Sequence, residues 1–452
     1  VESNTLTAAI ALDRIHYLRR SDKTLVIDRI TGRWVMFPKG VEEILPLVGH
    51  NEAFINDPQV AKSASDLTRI LEDRGIGIDA PFVNETLNTV ILKLTKACNL
   101  ACTYCYDFEQ EDKARHMDKL IALETIYQSI DLCKGKINFI LHGGEPMLVW
   151  SLIEELVTAG RSYAFSKGVN VNFIGQTNLT RIDDKKIKFS LDNDIRWGVS
   201  FDGMAALHDK YRIDHHGQGS YDAMVQLIKK YPDFIRRTNA LSTITSANQD
   251  HLLAIALHTQ ELGFSGWDWT LFQAIGRGRN SAAFDIRIDA LIDAWDQLFD
   301  GIIAGKFTGF AINPVLKYVS NFLEGPRDNM CMRSKCGAGR DLLSVAFDGT
   351  IEACDCIDPC GPLSNLGNMK RDSLSAAKNS PRADYIRSRD VETLQCGSCM
   401  WQAVCGGTCM ARAGGVEEIS EHECLLSMHI FDRISASLAN SDLLIQYKKS
   451  CD

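Results

Sequence analysis

Cys98, Cys102 and Cys105 are separated by three and then two residues in the segment KACNLACTYCYD. A [4Fe–4S] cluster ordinarily takes four thiolates, so a group of three leaves one iron open to an outside ligand. Catalytic zinc sites use the same device, with three protein ligands and a fourth position kept for reaction. Taken alone, the spacing also suits a zinc knuckle. The run before the triplet, Asn88 to Thr95 (NTVILKLT), is that of a buried strand. The cysteines therefore fall on the loop at its C-terminal end, where barrel-like α/β enzymes build active sites.

The elements that must position this loop follow from alternation. Strands are expected at Val90–Leu94, Ile137–Leu141, Val169–Ile174, Ile195–Ser200, Ala240–Ile244 and Trp267–Phe272, with helices between them and Asp118 as N-cap of Lys119–Leu132. Strand–helix alternation implies a parallel sheet with right-handed crossovers. Upstream, Ile15–Arg20, Leu25–Ile30 and Arg33–Phe37 are expected as short strands, the last two joined at Thr31-Gly32. Helices are expected at Val41–Val48 and Val60–Arg74, the second ending at Gly75. The residues from 311 to 325 look like a connector, and a helical tail runs from Cys424 to Lys449.

With 452 residues, 45% apolar and 24% charged, the chain has the composition of a globular protein of several domains. A net charge of −9 supplies no basic field for nucleic acid or anionic membrane, and neither is an expected partner. No apolar run approaches the length of a membrane span. A cytoplasmic chain is expected, and its fifteen cysteines then point to metal or redox chemistry rather than disulfides. Eleven of them crowd between Cys331 and Cys451.

Cys98-Asn-Leu-Ala-Cys102-Thr-Tyr-Cys105 resembles the cluster loop of radical S-adenosylmethionine (SAM) enzymes. Leu141-His142-Gly143-Gly144-Glu145-Pro146, some forty residues on, is similar to the family's GGEP motif. The resemblance implies a partial (β/α)6 TIM-like barrel over residues 88–310, a cluster on Cys98, Cys102 and Cys105, and SAM on the open iron. It further implies that Gly143, Gly144 and Glu145 receive the SAM amino group, with Pro146 stiffening the turn. Tyr104, the aromatic before the last cysteine, joins the cofactor-binding set, as does Asn178. Ser200 and Asp202 would meet the ribose hydroxyls. Arg212, in a segment resembling one whose arginine pairs with the SAM carboxylate, has the planar fork for that task. His142 is expected to point into the barrel mouth, against the substrate backbone or as a packed histidine.

The C-terminal cysteines resemble a SPASM domain, expected over residues 326–430 and followed by a tail at 431–452. The family's interleaved ligation implies one auxiliary [4Fe–4S] cluster on Cys331, Cys336, Cys354 and Cys409, and a second on Cys396, Cys399, Cys405 and Cys424, hence three clusters in all. Family spacing varies at Cys331. Cys133, Cys356, Cys360 and Cys451 fall outside both sets, with Cys133 expected as a buried helix residue. Asp355 matches an aspartate that acts as general base in sulfatase-maturating relatives.

Residues 1–87 are similar in pattern to the small α+β domains that capture leader peptides by β-augmentation. The expected function is a radical SAM peptide maturase that crosslinks a ribosomally made precursor peptide, fed by an external one-electron reductant. Formylglycine formation on a sulfatase is the first alternative, and a non-catalytic cluster- or zinc-bound scaffold is the second.

Overall fold

The computed structural model describes residues 10–50, 55–78, 86–108, 115–325 and 330–451. Three strands, β1 (Ile15–Arg20), β2 (Lys23–Asp28) and β3 (Trp34–Pro38), form an antiparallel sheet in that order. Gly32, at φ +69°, makes the β2–β3 turn that a side-chain-bearing residue would strain. One face of β2 sends Val26 into a small core with Leu45, Leu67, Leu71 and Ile76, while Leu25 and Ile27 join the main core. The helix Pro58–Asp73 is capped by Asp57, whose carboxylate accepts from Gln59 N at 2.8 Å. The helix expected at Val41–Val48 is instead two short 3-10 turns. Pro46 has no N–H to give and its ring clashes one turn back, so an α-helix cannot run through.

Six parallel strands carry the centre: β4 (Thr89–Lys93), β5 (Lys136–His142), β6 (Asn170–Thr177), β7 (Arg196–Ser200), β8 (Asn239–Ile244) and β9 (Gly266–Leu271). Each lies within three residues of its expected position. Their register is parallel throughout, with Leu92 opposite Leu141 and Leu141 opposite Gly175. Asp118 caps Lys119–Leu132 as expected, accepting from Leu120 N at 2.8 Å. Cys133 is the half-buried C-cap of that helix rather than an interior residue.

The sheet is longer than alternation indicates. β10 (Ala311–Ile312) adds beside β9, and the helix Asn313–Glu324 follows it, so the expected connector is an ordered part of the body. Val315, Val319 and Phe322 repeat at helical spacing and are buried. On the other edge β11 (Leu342–Val345) pairs in parallel with β4, followed by antiparallel β12 (Thr350–Glu352) and β13 (Gly367–Asn368). The molecule is thus an α/β fold on one large, mostly parallel sheet, continued by the cysteine-rich segment. The terminal helix Glu421–Asn440 runs unbroken through the boundary expected at residue 430, and a second helix spans Leu443–Cys451.

The N-terminal sheet leans on this C-terminal part. Trp34 Nε1 donates to Phe322 O at 2.6 Å, and Lys23 Nζ donates to Ala439 O at 2.7 Å. No helix among the described residues is long and apolar enough to cross a membrane.

Candidate active site

The loop leaving β4 is tied down by backbone bonds. Ala101 N donates to Ile213 O at 2.7 Å, Thr103 N to Tyr211 O at 3.1 Å and Arg277 N to Cys105 O at 3.0 Å. Burial pushes the Cys98 and Cys105 thiols up to about 12, and raises Cys102 as well. A metal must therefore displace protons as it binds here. Three soft thiolate donors on one fixed loop fit an iron–sulfur cluster.

The Gly143–Gly144 turn at the end of β5 is laced to the same loop. Gly144 N donates to Thr95 O at 2.7 Å, and Glu145 N to Ala97 O at 2.8 Å. Gly143 sits at φ +124°, and a Cβ on Gly144 would stand 2.2 Å from Ala97 O. Gly144→Ala is therefore expected to part the two loops. A misplacement of about 1 Å costs on the order of 10²-fold in rate, so SAM cleavage should fall by about that factor while the C-terminal cysteines keep their iron. Measured 5′-deoxyadenosine formation and iron content check this.

Glu145 is buried and already engaged: it accepts from Met147 N (3.0 Å), Thr177 Oγ1 (2.8 Å) and Asn178 N (2.7 Å). A carboxylate has about four acceptor positions, so one remains for a ligand amine. Pro146 is buried at the start of the next turn and does not line the cavity. Asn178 does line it, with Nδ2 3.2 Å from Asn99 Oδ1 and 3.8 Å from Cys98 Sγ.

Arg212 donates to Tyr104 Oη at 2.7 Å, and Tyr104 in turn donates to Asp202 Oδ2. Burial works against the Arg212 charge, but Tyr104, Cys102 and Asp202 outweigh it and hold the guanidinium ionised. Its buried Nε has no hydrogen-bond partner, and the residue lines the cavity with Tyr104 and Ser200. An unpartnered guanidinium N–H is what a carboxylate-bearing ligand needs. Asp202 has a different place from the one expected. Its oxygens serve Tyr104 and Thr243 N (3.0 Å), and it does not line the cavity.

One cavity of about 1330 Å³ joins this region to the C-terminal cysteines. Along its wall His142 Nε2 lies 2.8 Å from Gln176 Oε1 and 3.3 Å from Tyr106 Oη, which donates to Asp355 Oδ2 at 3.2 Å. His142 Nδ1 is buried without a partner, which leaves a polar atom for a ligand. Asp355 Oδ1 accepts from Cys354 Sγ at 3.5 Å. The arrangement sets a carboxylate between a cysteine of the first auxiliary set and the SAM-side residues.

Cys331, Cys336, Cys354 and Cys409 all line the cavity. In the second set, Cys396 feels Cys424 and Cys399, and Cys405 feels Cys396 and Cys399, each after the larger effect of burial. Arg389 stands between the sets, buried and electrostatically coupled to Cys336, Cys409 and Cys396. A central guanidinium offsets the charge that eight thiolates would bring.

Sequence reading missed two features. Tyr106 was passed over because its partners are distant in sequence. Lys93, inside β4, is buried with Glu352 Oε2 at 3.0 Å and Asp107 Oδ1 at 3.6 Å. Burial opposes its charge, but Glu352, Asp107 and Asp355 hold it well above the ordinary value, so one ammonium ties the cysteine loop to β12. A lone lysine in an apolar strand was the available signal.

Comparison with known proteins agrees with this geometry. The radical SAM superfamily matches residues 92–256, and the SPASM iron-sulfur cluster-binding domain matches residues 336–400. A cysteine-type anaerobic sulfatase-maturating enzyme of Clostridium novyi is 25% identical over 342 residues, covering 72% of this chain and 88% of that protein. A serine-type enzyme of Bacteroides thetaiotaomicron is 24% identical over 358 residues, covering 73% and 84%. Among solved structures, anSMEcpe with bound AdoMet and Kp18Cys peptide superposes with a TM-score of 0.68 at 20% identity, covering 80% of this chain and 99% of that one. Streptococcus suis SuiB bound to precursor peptide SuiA gives 0.57 at 14% identity, covering 92% and 99%. The cysteine loop and the laced glycine turn therefore lie in a radical SAM superfamily domain and most of the C-terminal thiols in a SPASM iron-sulfur cluster-binding domain, and the chain is homologous to the anaerobic sulfatase-maturating enzymes.

Proposed function

We propose that this chain abstracts a hydrogen atom from a side-chain carbon of a ribosomally made precursor peptide and joins that carbon to a neighbouring residue, as a cyclophane- or thioether-type crosslink. The extent of the fold shared with SuiB carries the reading. It leaves 8% of 452 residues uncovered, about 36, so more than half of residues 1–87 lies within it. SuiB was solved with a precursor peptide. In this chain the N-terminal unit would hold a leader along β3, which among the described residues is paired on one side only. An open strand edge can take an added strand.

Cys98, Cys102 and Cys105 would hold the cluster which, with SAM bound beside it, would supply the hydrogen-abstracting radical. Arg212 would grip the SAM carboxylate with its free Nε, Ser200 would face the ribose, and the remaining acceptor position of Glu145 would meet the amine. Asn178 would orient the same ligand from beside Cys98. His142 would hold the substrate backbone through Nδ1, and Asp355 would accept the proton released as the new bond forms. The C-terminal cysteines, Cys336, Cys354 and Cys409 with one further thiol and then Cys396, Cys399, Cys405 and Cys424, would hold two further clusters to carry the surplus electron away. An external one-electron reductant completes the cycle.

Formylglycine formation is the second reading, favoured by the likeness to sulfatase-maturating enzymes in both sequence and fold. Anaerobic incubation of the loaded enzyme with SAM, reductant and a candidate precursor peptide separates the two. Loss of two hydrogens without aldehyde trapping is the expected result. An aldehyde on a sulfatase-derived peptide, with the precursor peptide unchanged, would establish the second reading instead.

A further inference from the structure

Five thiols, not four, converge on the first auxiliary site. Cys356, which the family's ligation pattern leaves outside both sets, lines the cavity with Cys331, Cys336, Cys354 and Cys409. The Sγ atoms of Cys354 and Cys356 and a carboxylate oxygen of Asp355 lie within 4.8 Å of one another, the one group of metal-ligating atoms this tight among the described residues. Cys356 therefore stands beside Cys354, one of the four expected ligands, on the wall that the other three share. Arg412, half-buried and paired with Glu423, is a cation close to both Cys409 and Cys356.

The loop bearing Cys356 is fixed from the barrel side. Gln273 Nε2 donates to the Cys356 carbonyl at 2.8 Å, and Arg279 grips Asp358 through Nη1 at 2.6 Å and Nη2 at 3.0 Å. Both partners lie on the loop after β9, so Cys356 is presented to the cavity by the same scaffold that carries the active site. Cys331, by contrast, is exposed. A [4Fe–4S] cluster takes about one thiolate per iron, so one of the five is surplus. Rotation about χ1 between staggered wells lets two neighbouring sulfurs part to serve different irons.

We propose that Cys356 ligates the first auxiliary cluster together with Cys336, Cys354 and Cys409, in the place that the family resemblance gave to Cys331. The inference rests on the reading that the C-terminal module holds two clusters. It makes the first of them fully ligated from within the protein, with no iron open to the substrate.

The test uses the full chain with Cys98, Cys102 and Cys105 replaced by alanine, so that only auxiliary iron is counted. After anaerobic reconstitution this background should hold about eight irons per chain, four for each cluster. Adding Cys356→Ser should lower the count to about four or convert one cluster to a three-iron form visible by electron paramagnetic resonance. Adding Cys331→Ser should leave both the iron and the spectrum as they were. Full iron and an unchanged spectrum in the Cys356→Ser chain overturn the proposal, whatever Cys331→Ser does. Auxiliary iron missing from the background itself would instead sink the two-cluster reading. A second measurement needs no substitution: alkylation of the native-sequence chain before and after chelation of its iron, followed by peptide mass spectrometry. Cys356 should be protected only in the loaded protein, while Cys360, exposed on the same loop, reacts in both states. Equal Cys356 rates in the two states overturn the assignment.

Discussion

Replacing Asp355 by asparagine is expected to leave SAM cleavage running while cutting the yield of modified peptide by about 10²–10⁴-fold, the usual contribution of a positioned general base. The substitution keeps size and most hydrogen bonding but removes the acceptor of a proton. Asp355 faces the cavity between Tyr106 Oη at 3.2 Å and Cys354 Sγ at 3.5 Å, so a substrate entering from the SAM side meets its carboxylate. Tyr106→Phe should cost much less, about tenfold, the worth of one hydrogen bond that orients the carboxylate. The comparison needs two assays on each variant: 5′-deoxyadenosine release and peptide mass. Product formed at the parent rate by Asp355→Asn would reduce Asp355 to a hydrogen bond within the cysteine loop.

What the sequence revealed and what it hid divide along one line, whether the interacting residues are close together in the chain. β4 to β9 are five to eight residues long and alternate or run apolar, so their positions could be read to within three residues. β10 to β13 have two to four residues each, too few for a period to show. The six-stranded barrel was therefore legible, but its continuation into the cysteine-rich segment was not.

The same holds within the site. The cysteine triplet and the Gly143–Glu145 turn are contiguous motifs, and the fold laces them together through Thr95 and Ala97. Tyr106 meets Asp355 across 249 positions of sequence, and Lys93 on β4 meets Glu352 on β12 across the intervening β11. Neither pairing leaves a local pattern. Asp202, found by motif, does not line the cavity. It sits beside the expected ligand region yet spends its oxygens on Tyr104 and Thr243.

That placement of Asp202 lets the two roles of Arg212 be separated. The guanidinium is buried, donates to Tyr104 and balances Asp202, while its unpartnered Nε is left for a ligand. Arg212→Gln removes both functions at once. It strands the Asp202 carboxylate in a buried site, and breaking a buried charge pair by removing one partner costs roughly 3–5 kcal/mol. Asp202→Asn added to it removes the stranded charge, and the double variant should recover part of that loss, since residues in one hydrogen-bond network, here joined through Tyr104, couple by about 0.5–3 kcal/mol. SAM binding should not recover, because glutamine offers no forked cation to a carboxylate. Denaturant midpoints and SAM titrations on the parent, both single variants and the double variant give the full cycle. Stability restored without SAM binding assigns Arg212 to the ligand. SAM binding restored along with stability would make it a structural counter-charge for Asp202 and leave the carboxylate of SAM to another residue.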